Sequence, residues 1–163
     1  CPVERIMIEI FDDFLDRKDS RFVLEYCKNS SYTYGEVDTP QTPPTGMVHK
    51  ISNKEDICQL FDYKIRESCS HVKELNLYRI YVNCFAPSEN PYFHIDCDDG
   101  LTFLYYIDEW KLDDGGETQF LIDDEIKGVL PKQNRIVGFD ANIWHKATSF
   151  RDKHRFTVAI KFK

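Results

Sequence analysis

The 163-residue sequence predicts a mainly β, α+β fold: a sandwich or barrel of short strands, buttressed by helices from the N-terminal part of the chain. The apolar spacing changes midway. Helical periodicity dominates up to about residue 74, and short runs rich in aromatic and β-branched residues follow. Aromatics reach 14%, with 12 Phe and 9 Tyr, a composition that suits pleated, half-buried surfaces. Acidic turn signals, "DDG" and "DDGG", separate several of the short runs. One domain over residues 1–163 is expected, with helical support over about 1–74 and a strand-rich core over about 75–163.

The elements follow in chain order. "IMIEIFDDFL" fits either a strand or a helix. "DSRFVLEYCKN" reads as a short helix with Asp19 or Ser20 as its N-cap and Phe22, Val23 and Tyr26 on one side. "DTPQTPPTGM", residues 38–47, holds three of the seven prolines and reads as a loop, suited to a lid or to a plain surface connection. "SNKEDICQLFDYKIRESCSHV" reads as a helix. Ser52 and Glu55 form a capping box, and Ile57, Leu60, Phe61 and Ile65 follow at helical spacing. Then come "LNLYRIYVNCF", "YFHIDC", "GLTFLYYIDEW", "GETQFLI", "NRIVGF", "IWHKATSF" and "RFTVAIKF", each read as a strand.

Composition narrows the function classes. The net charge is −7 and the pI about 5.2, which disfavours binding along a nucleic-acid backbone. The local basic group Lys146, Arg151, Lys153, His154 and Arg155 points to a confined anion site. The six cysteines contain no C-x-x-C pair, which argues against structural zinc, and their spacing favours free thiols in a cytoplasmic setting. No apolar run is long enough to span a bilayer. The chain opens "CPVERIMIEI", without Met or a signal-peptide pattern, as an excised domain would. Composition leaves the oligomeric state open.

The stretch that carries chemistry is "YFHIDCDDG". His94 and Asp96 stand two apart, so in a strand both side chains would share a face. A His-x-Asp pair alone is as well explained by a polar strand face. His145 in "NIWHKATSF" supplies a third donor from another run, and two histidines with one carboxylate leave open positions on a metal, as in non-haem Fe(II) oxygenases. In "RFTVAIKF", Arg155, Thr157 and Ala159 share one face and Phe156, Val158, Ile160 and Phe162 the other. An arginine there offers a forked donor for a carboxylate, with the Thr157 hydroxyl beside it. In "LTFLYYIDEW", Thr102, Leu104 and Tyr106 share a face, giving polar handles on an apolar wall. Arg79 and Asn83 are candidates to face the same pocket, and Trp144 is a candidate to pack against the His145 ring.

Taken together, "HID", "LTFLYYIDEWKLDDGGETQF", "PKQNRIVGFDANIWH" and "RFT" resemble the 2-oxoglutarate- and Fe(II)-dependent dioxygenases, in the prolyl 4-hydroxylase-like branch. The resemblance runs over about residues 75–163. It rests on Tyr105, Tyr106 and Trp110, then Gly115, Gly116 and Glu117, then Pro131, Arg135 and Phe139 before His145, with Arg155 ten residues after it. It implies a double-stranded β-helix (jelly-roll, cupin-like) core. It implies His94, Asp96 and His145 as Fe(II) ligands and Arg155 as partner of the distal 2-oxoglutarate carboxylate, with Tyr106 on the same group and Thr157 nearby. Thr102 and Leu104 would line that pocket. Phe85 stands where the family often has tyrosine, and Tyr81 is the candidate replacement. Asp108 replaces the usual asparagine.

The implied activity is hydroxylation of a C–H bond, most simply of a prolyl residue or proline-like substrate, consuming O2 and 2-oxoglutarate and releasing succinate and CO2, with ascorbate as reductant. The implied partner is a peptide, protein or small-molecule substrate. Three other readings stay open: the same chemistry on another amino-acid side chain, a small metabolite or an alkylated base; a non-catalytic β-barrel binding domain; and a Zn²⁺ hydrolase at the same triad, which would leave Arg155 and Tyr106 without a role.

Overall fold

The computed structural model describes residues 8–163. Cys1 and the first residues of "IMIEIFDDFL" therefore lie outside the described chain; the rest of that run forms strand β1 (Ile8–Phe11) and then an irregular connection to residue 15. Helix α1 spans Arg17–Asn29, β2 Thr33–Tyr34, β3 Met47–Lys50 and helix α2 Asp56–Ser68. The strand-rich half comprises β4 (Leu77–Phe85), β5 (Leu101–Tyr106), β6 (Thr118–Ile122), β7 (Glu125–Val129), β8 (Arg135–Asp140), β9 (His145–Lys146) and β10 (Arg155–Phe162).

All named strand pairs are antiparallel. A seven-stranded sheet runs β1-β8-β5-β10-β4-β3-β2, and a three-stranded sheet runs β7-β6-β9. β2–β3, β3–β4 and β6–β7 pair consecutive strands, while the other pairs join strands far apart in sequence, the jelly-roll form of a double-stranded β-helix. β10 lies between β4 and β5 and is buried along almost its whole length.

Alternation divides the core in two. Val158, Ile160 and Phe162 of β10 and Phe103 and Tyr105 of β5 pack with Val23 and Cys27 of α1 and Ile57, Phe61 and Ile65 of α2. The opposite parity, Leu104 and Tyr106 of β5 and Ala159 of β10, packs with Phe120 and Ile122 of the small sheet. The helices thus cover the outer face of the large sheet, and the site lies between the sheets. Phe61 meets Tyr105 edge-on with ring centroids 5.2 Å apart, one of the contacts that lock α2 onto the sheet.

Local readings fare unevenly. α1 begins three or four residues earlier than its sequence suggests, because Asp16 is the N-cap and accepts from the Asp19 amide at 2.8 Å. The Ser52–Glu55 capping box does not form. Ser52 sits in a turn, its Oγ accepting from the Lys54 amide, and the helix starts after Glu55, whose carboxylate instead accepts from the Tyr26 hydroxyl. "YFHIDC" is no strand: it makes one isolated bridge, His94 to His145. "IWHKATSF" supplies only the two residues of β9. Strands β2, β3 and β7 carry too little alternation to be read from sequence; β7, "EIKGV", is exposed at four of its five positions.

Candidate metal and anion site

Two segments meet to build a donor cluster. β9 brings His145 beside Phe120 of β6. The connector after β4 then crosses β9, and His94 and His145 exchange both backbone hydrogen bonds, each at 3.0 Å. The amides of Asp96 and Cys97 donate to the Ala141 carbonyl at 2.9 and 3.3 Å, which pins the connector. One donor atom from each of His94, Asp96 and His145 lies within 4.8 Å of the others. The alternation argument for the His-x-Asp pair therefore fails in its premise while its result stands: a pinned connector, not a strand, sets these side chains side by side.

Neighbouring groups fix which atoms face the cluster. His94 Nδ1 lies 3.0 Å from the Tyr92 carbonyl and His145 Nδ1 2.8 Å from the Ile143 carbonyl. An N–H on each Nδ1 donates outward, leaving the Nε2 lone pairs on the side of the Asp96 carboxylate, 3.6 Å away in each case and open to a metal ion. Burial presses the His145 pKa down to about 4 against the pull of Asp96, so the ring is neutral near pH 7. Burial opposes charge on Asp96 too, but His94, His145 and Lys161 outweigh it and hold the carboxyl far below its usual range. Burial lowers the His94 pKa, but Asp96 and the Tyr92 carbonyl outweigh it and leave it above the ordinary histidine value. Two imidazoles and one carboxylate form a donor set for a borderline divalent ion, which would bind His94 in its deprotonated form. The ring supports are Phe139 and Phe120, with centroids 4.7 and 6.1 Å from His145. Trp144, read from sequence as that support, is half-exposed.

The cluster opens on a cavity of about 160 Å³ that is also lined by Tyr81, Thr102, Leu104, Arg155, Thr157 and Lys161. Arg155 is fully buried; its Nε donates to the Gly116 carbonyl at 2.8 Å and Nη2 to Thr118 Oγ1 at 3.0 Å. Gly116 has φ +79°, and a Cβ there would meet the Phe150 ring at 2.4 Å, so the second glycine of "GGE" is required for this approach. The Trp110 indole N–H donates to Gly115 at 3.0 Å, tying the same turn from the other side. Arg79, Asn83 and Phe85 also line the cavity, near Glu36 and Asp38 from the start of the proline-rich loop.

Tyr106 stands one layer behind the cavity wall. Its hydroxyl is 2.7 Å from Thr118 Oγ1, and the Arg155 guanidinium lies 5.6 Å from its ring centroid. Thr102 reaches the donor cluster: its hydroxyl donates to Asp96 Oδ2 at 2.6 Å. The basic group in the sequence disperses. Arg155 alone enters the cavity, whereas Arg151 donates to the Asp113 carbonyl and Lys153 pairs with Asp114 at the surface. Asp108 accepts from Lys28 at 2.7 Å and from the Phe156 amide at 3.0 Å, joining α1 to β10.

Two participants escape the sequence reading. Lys161, only 6% exposed, donates to Asp96 Oδ1 at 2.7 Å; burial lowers its pKa, but Tyr81 and Asp96 together outweigh burial and lift the ammonium above the ordinary lysine range. Its signal was present: the alternation that places Arg155, Thr157 and Ala159 on one face continues to residue 161. Thr118 carries no such signal, because one threonine in "GETQF" looks like any strand residue.

Comparison with known proteins agrees with this architecture. A prolyl-4-hydroxylase from Pseudomonas putida superposes with a TM-score of 0.77 at 17% identity, over 96% of this chain and 92% of that one. A Trichoplax adhaerens prolyl hydroxylase in complex with a hypoxia inducible factor peptide fragment gives 0.73 at 17%, over 95% and 82%. HygX of Streptomyces hygroscopicus, with nickel, 2-oxoglutarate and hygromycin B bound, gives 0.75 at 8%, over 95% and 82%. No curated protein matches the sequence. The sequence matches the family profile of the 2OG-Fe(II) oxygenase superfamily over residues 80–163, the stretch from within β4 to the end of the chain that holds His94, Asp96, His145 and Arg155, and the chain belongs to that superfamily.

Proposed function

We propose that this chain is a 2-oxoglutarate-dependent hydroxylase in which His94, Asp96 and His145 hold Fe(II) and Arg155 anchors the distal carboxylate of 2-oxoglutarate. One observation carries the reading: the three-donor cluster and a fully buried guanidinium line the same cavity. The donor set fits the ion, and a buried guanidinium with only neutral hydrogen-bond acceptors fits a carboxylate. When bound, iron and 2-oxoglutarate supply the oxidising chemistry that activates O2.

The chain's own residues bind and orient. His94 and His145 keep their rings aimed through the outward bonds to Tyr92 and Ile143. Thr102 fixes the Asp96 carboxylate. Thr157 supplies a hydroxyl on the same strand face as Arg155, and Leu104 and Tyr81 wall the space between. Tyr106 acts through Thr118, holding the oxygen on which Arg155 rests.

The substrate reading is a prolyl residue in a peptide, supported by the prolyl hydroxylases among the structural relatives and by a cavity mouth bordered by Pro91 and the 36–45 segment. HygX favours a second reading, a small polar metabolite. Succinate release with Fe(II), 2-oxoglutarate and ascorbate, measured over proline-containing peptides, free proline and a metabolite panel, separates them. A mass gain of one oxygen on a peptide proline supports the first reading. Turnover with small molecules alone rejects it.

A further inference from the structure

The connection between Lys161 and Asp96 goes beyond the triad. Both oxygens of the only carboxylate in the donor cluster are already engaged: Lys161 Nζ donates to Oδ1 at 2.7 Å and Thr102 Oγ1 to Oδ2 at 2.6 Å. The ammonium is nearly sealed from solvent and lies 5.3 Å from the Tyr81 ring centroid. An apolar side chain would fill a buried β-strand position at lower cost in desolvation. A lysine here places one positive charge on the group that would hold a dication.

We infer that Lys161 is a positioning residue that acts as an internal counter-cation to Asp96, so that a divalent ion binds weakly alone and loads together with a dicarboxylate. This rests on reading the triad as a metal site. Charge decides the direction. Asp96 and Lys161 cancel, as do Arg79 and Glu36; Arg155, whose hydrogen bonds go to a carbonyl and a hydroxyl, adds one positive charge and Asp38, 3.4 Å from His94 Nδ1, one negative, so the cavity starts near neutral charge. A dication raises that charge by two, and like charges in a buried site repel strongly. A dianion restores the starting balance. Metal and 2-oxoglutarate therefore strengthen each other beyond the effect of chelation, and by linkage each raises the affinity of the other by the same factor.

The test uses Co(II) alone as probe, titrated into the whole chain by its visible absorption, with and without 2-oxoglutarate. Wild type is compared with Lys161→Met, Lys161→Gln and Lys161→Arg. Far-UV circular dichroism and a melting curve establish that each is folded. The expected result is that Met and Gln bind Co(II) alone at least tenfold more tightly than wild type, while the further tightening caused by 2-oxoglutarate shrinks; Arg, which keeps the charge, behaves as wild type. Gln retains a donor to Asp96, so it remains informative if Met does not fold. Folded Met or Gln variants that bind Co(II) with wild-type affinity or weaker overturn the inference. The functional reading fails separately: wild type whose Co(II) affinity ignores 2-oxoglutarate contradicts that reading, and the Co(II)-only comparison still decides the role of Lys161.

Discussion

Arg155 shows what one residue contributes. Its guanidinium is fully buried and rests on the Gly116 carbonyl and Thr118. A charge-assisted hydrogen bond contributes about 1.5–3 kcal/mol, and each 1.4 kcal/mol is tenfold in affinity. Arg155→Ala should therefore require about tenfold to a hundredfold more 2-oxoglutarate for half-maximal succinate formation. An unchanged requirement would remove Arg155 from the anion site. Spacing and strand parity made Arg155 legible in the sequence, and the same parity pointed to Lys161. A lysine one residue from the end of an apolar run reads as a strand terminus reaching solvent, and only the position of Asp96 across the cavity shows otherwise. Trp144 stands beside His145 in sequence yet is half-exposed, whereas Phe139 and Phe120, distant in sequence, pack against the His145 ring. Cysteine chemistry belongs to this scale too. Burial raises the Cys27 thiol to about 12 and Cys84 to about 11. Both should resist alkylation at pH 8 in the native protein and react after denaturation, read by peptide mass spectrometry. Rapid native labelling of either would contradict their burial.

Among the elements, β10 and the turn that supports it carry the most consequence. β10 contributes four cavity residues on one face, Arg155, Thr157, Ala159 and Lys161, and core side chains to the helix layer on the other. The "GGE" turn presents a backbone carbonyl to Arg155 at a φ that only glycine adopts without strain. Gly116→Ala should destabilise the fold by about 1–3 kcal/mol and also raise the 2-oxoglutarate requirement, because the added methyl displaces either the turn or Phe150. Loss of stability with an unaltered requirement would separate the turn from the anion pocket. Asp16→Ala removes an N-cap remote from the cavity and should cost about 1 kcal/mol in urea unfolding, with no effect on ligand binding. Long periodic elements such as α2 and β10 were legible because burial on one face imposes their pattern. The His94 connector and β9 were misread as longer strands, since apolar residues bracket both histidines while backbone pairing covers only a few positions. The α2 cap moved because Glu55 is drawn to Tyr26 instead of back to Ser52.

For the whole molecule, the two-layer core separates stability from function. The helix layer buries Phe61, Ile57 and Ile65 on the outer face of the large sheet, whereas the cavity opens on the inner face. Phe61→Ala should cost about 3–5 kcal/mol of folding stability, with the residual folded protein keeping wild-type ligand affinity. Among the described residues no helix is long and apolar enough to cross a membrane. Antiparallel alternation and N-terminal helices were legible in composition and period. The strand order was not, because jelly-roll pairing joins runs far apart in sequence and depends on which strand edges remain available after hairpins close. The central claim is that one cavity holds metal and 2-oxoglutarate together, and its most direct test is anaerobic. Fe(II) followed by 2-oxoglutarate should produce the visible charge-transfer band of a chelate in wild type. His145→Ala should abolish it, and Arg155→Ala should shift its appearance to higher 2-oxoglutarate. A folded wild-type protein that gives no band at any 2-oxoglutarate concentration would contradict the claim.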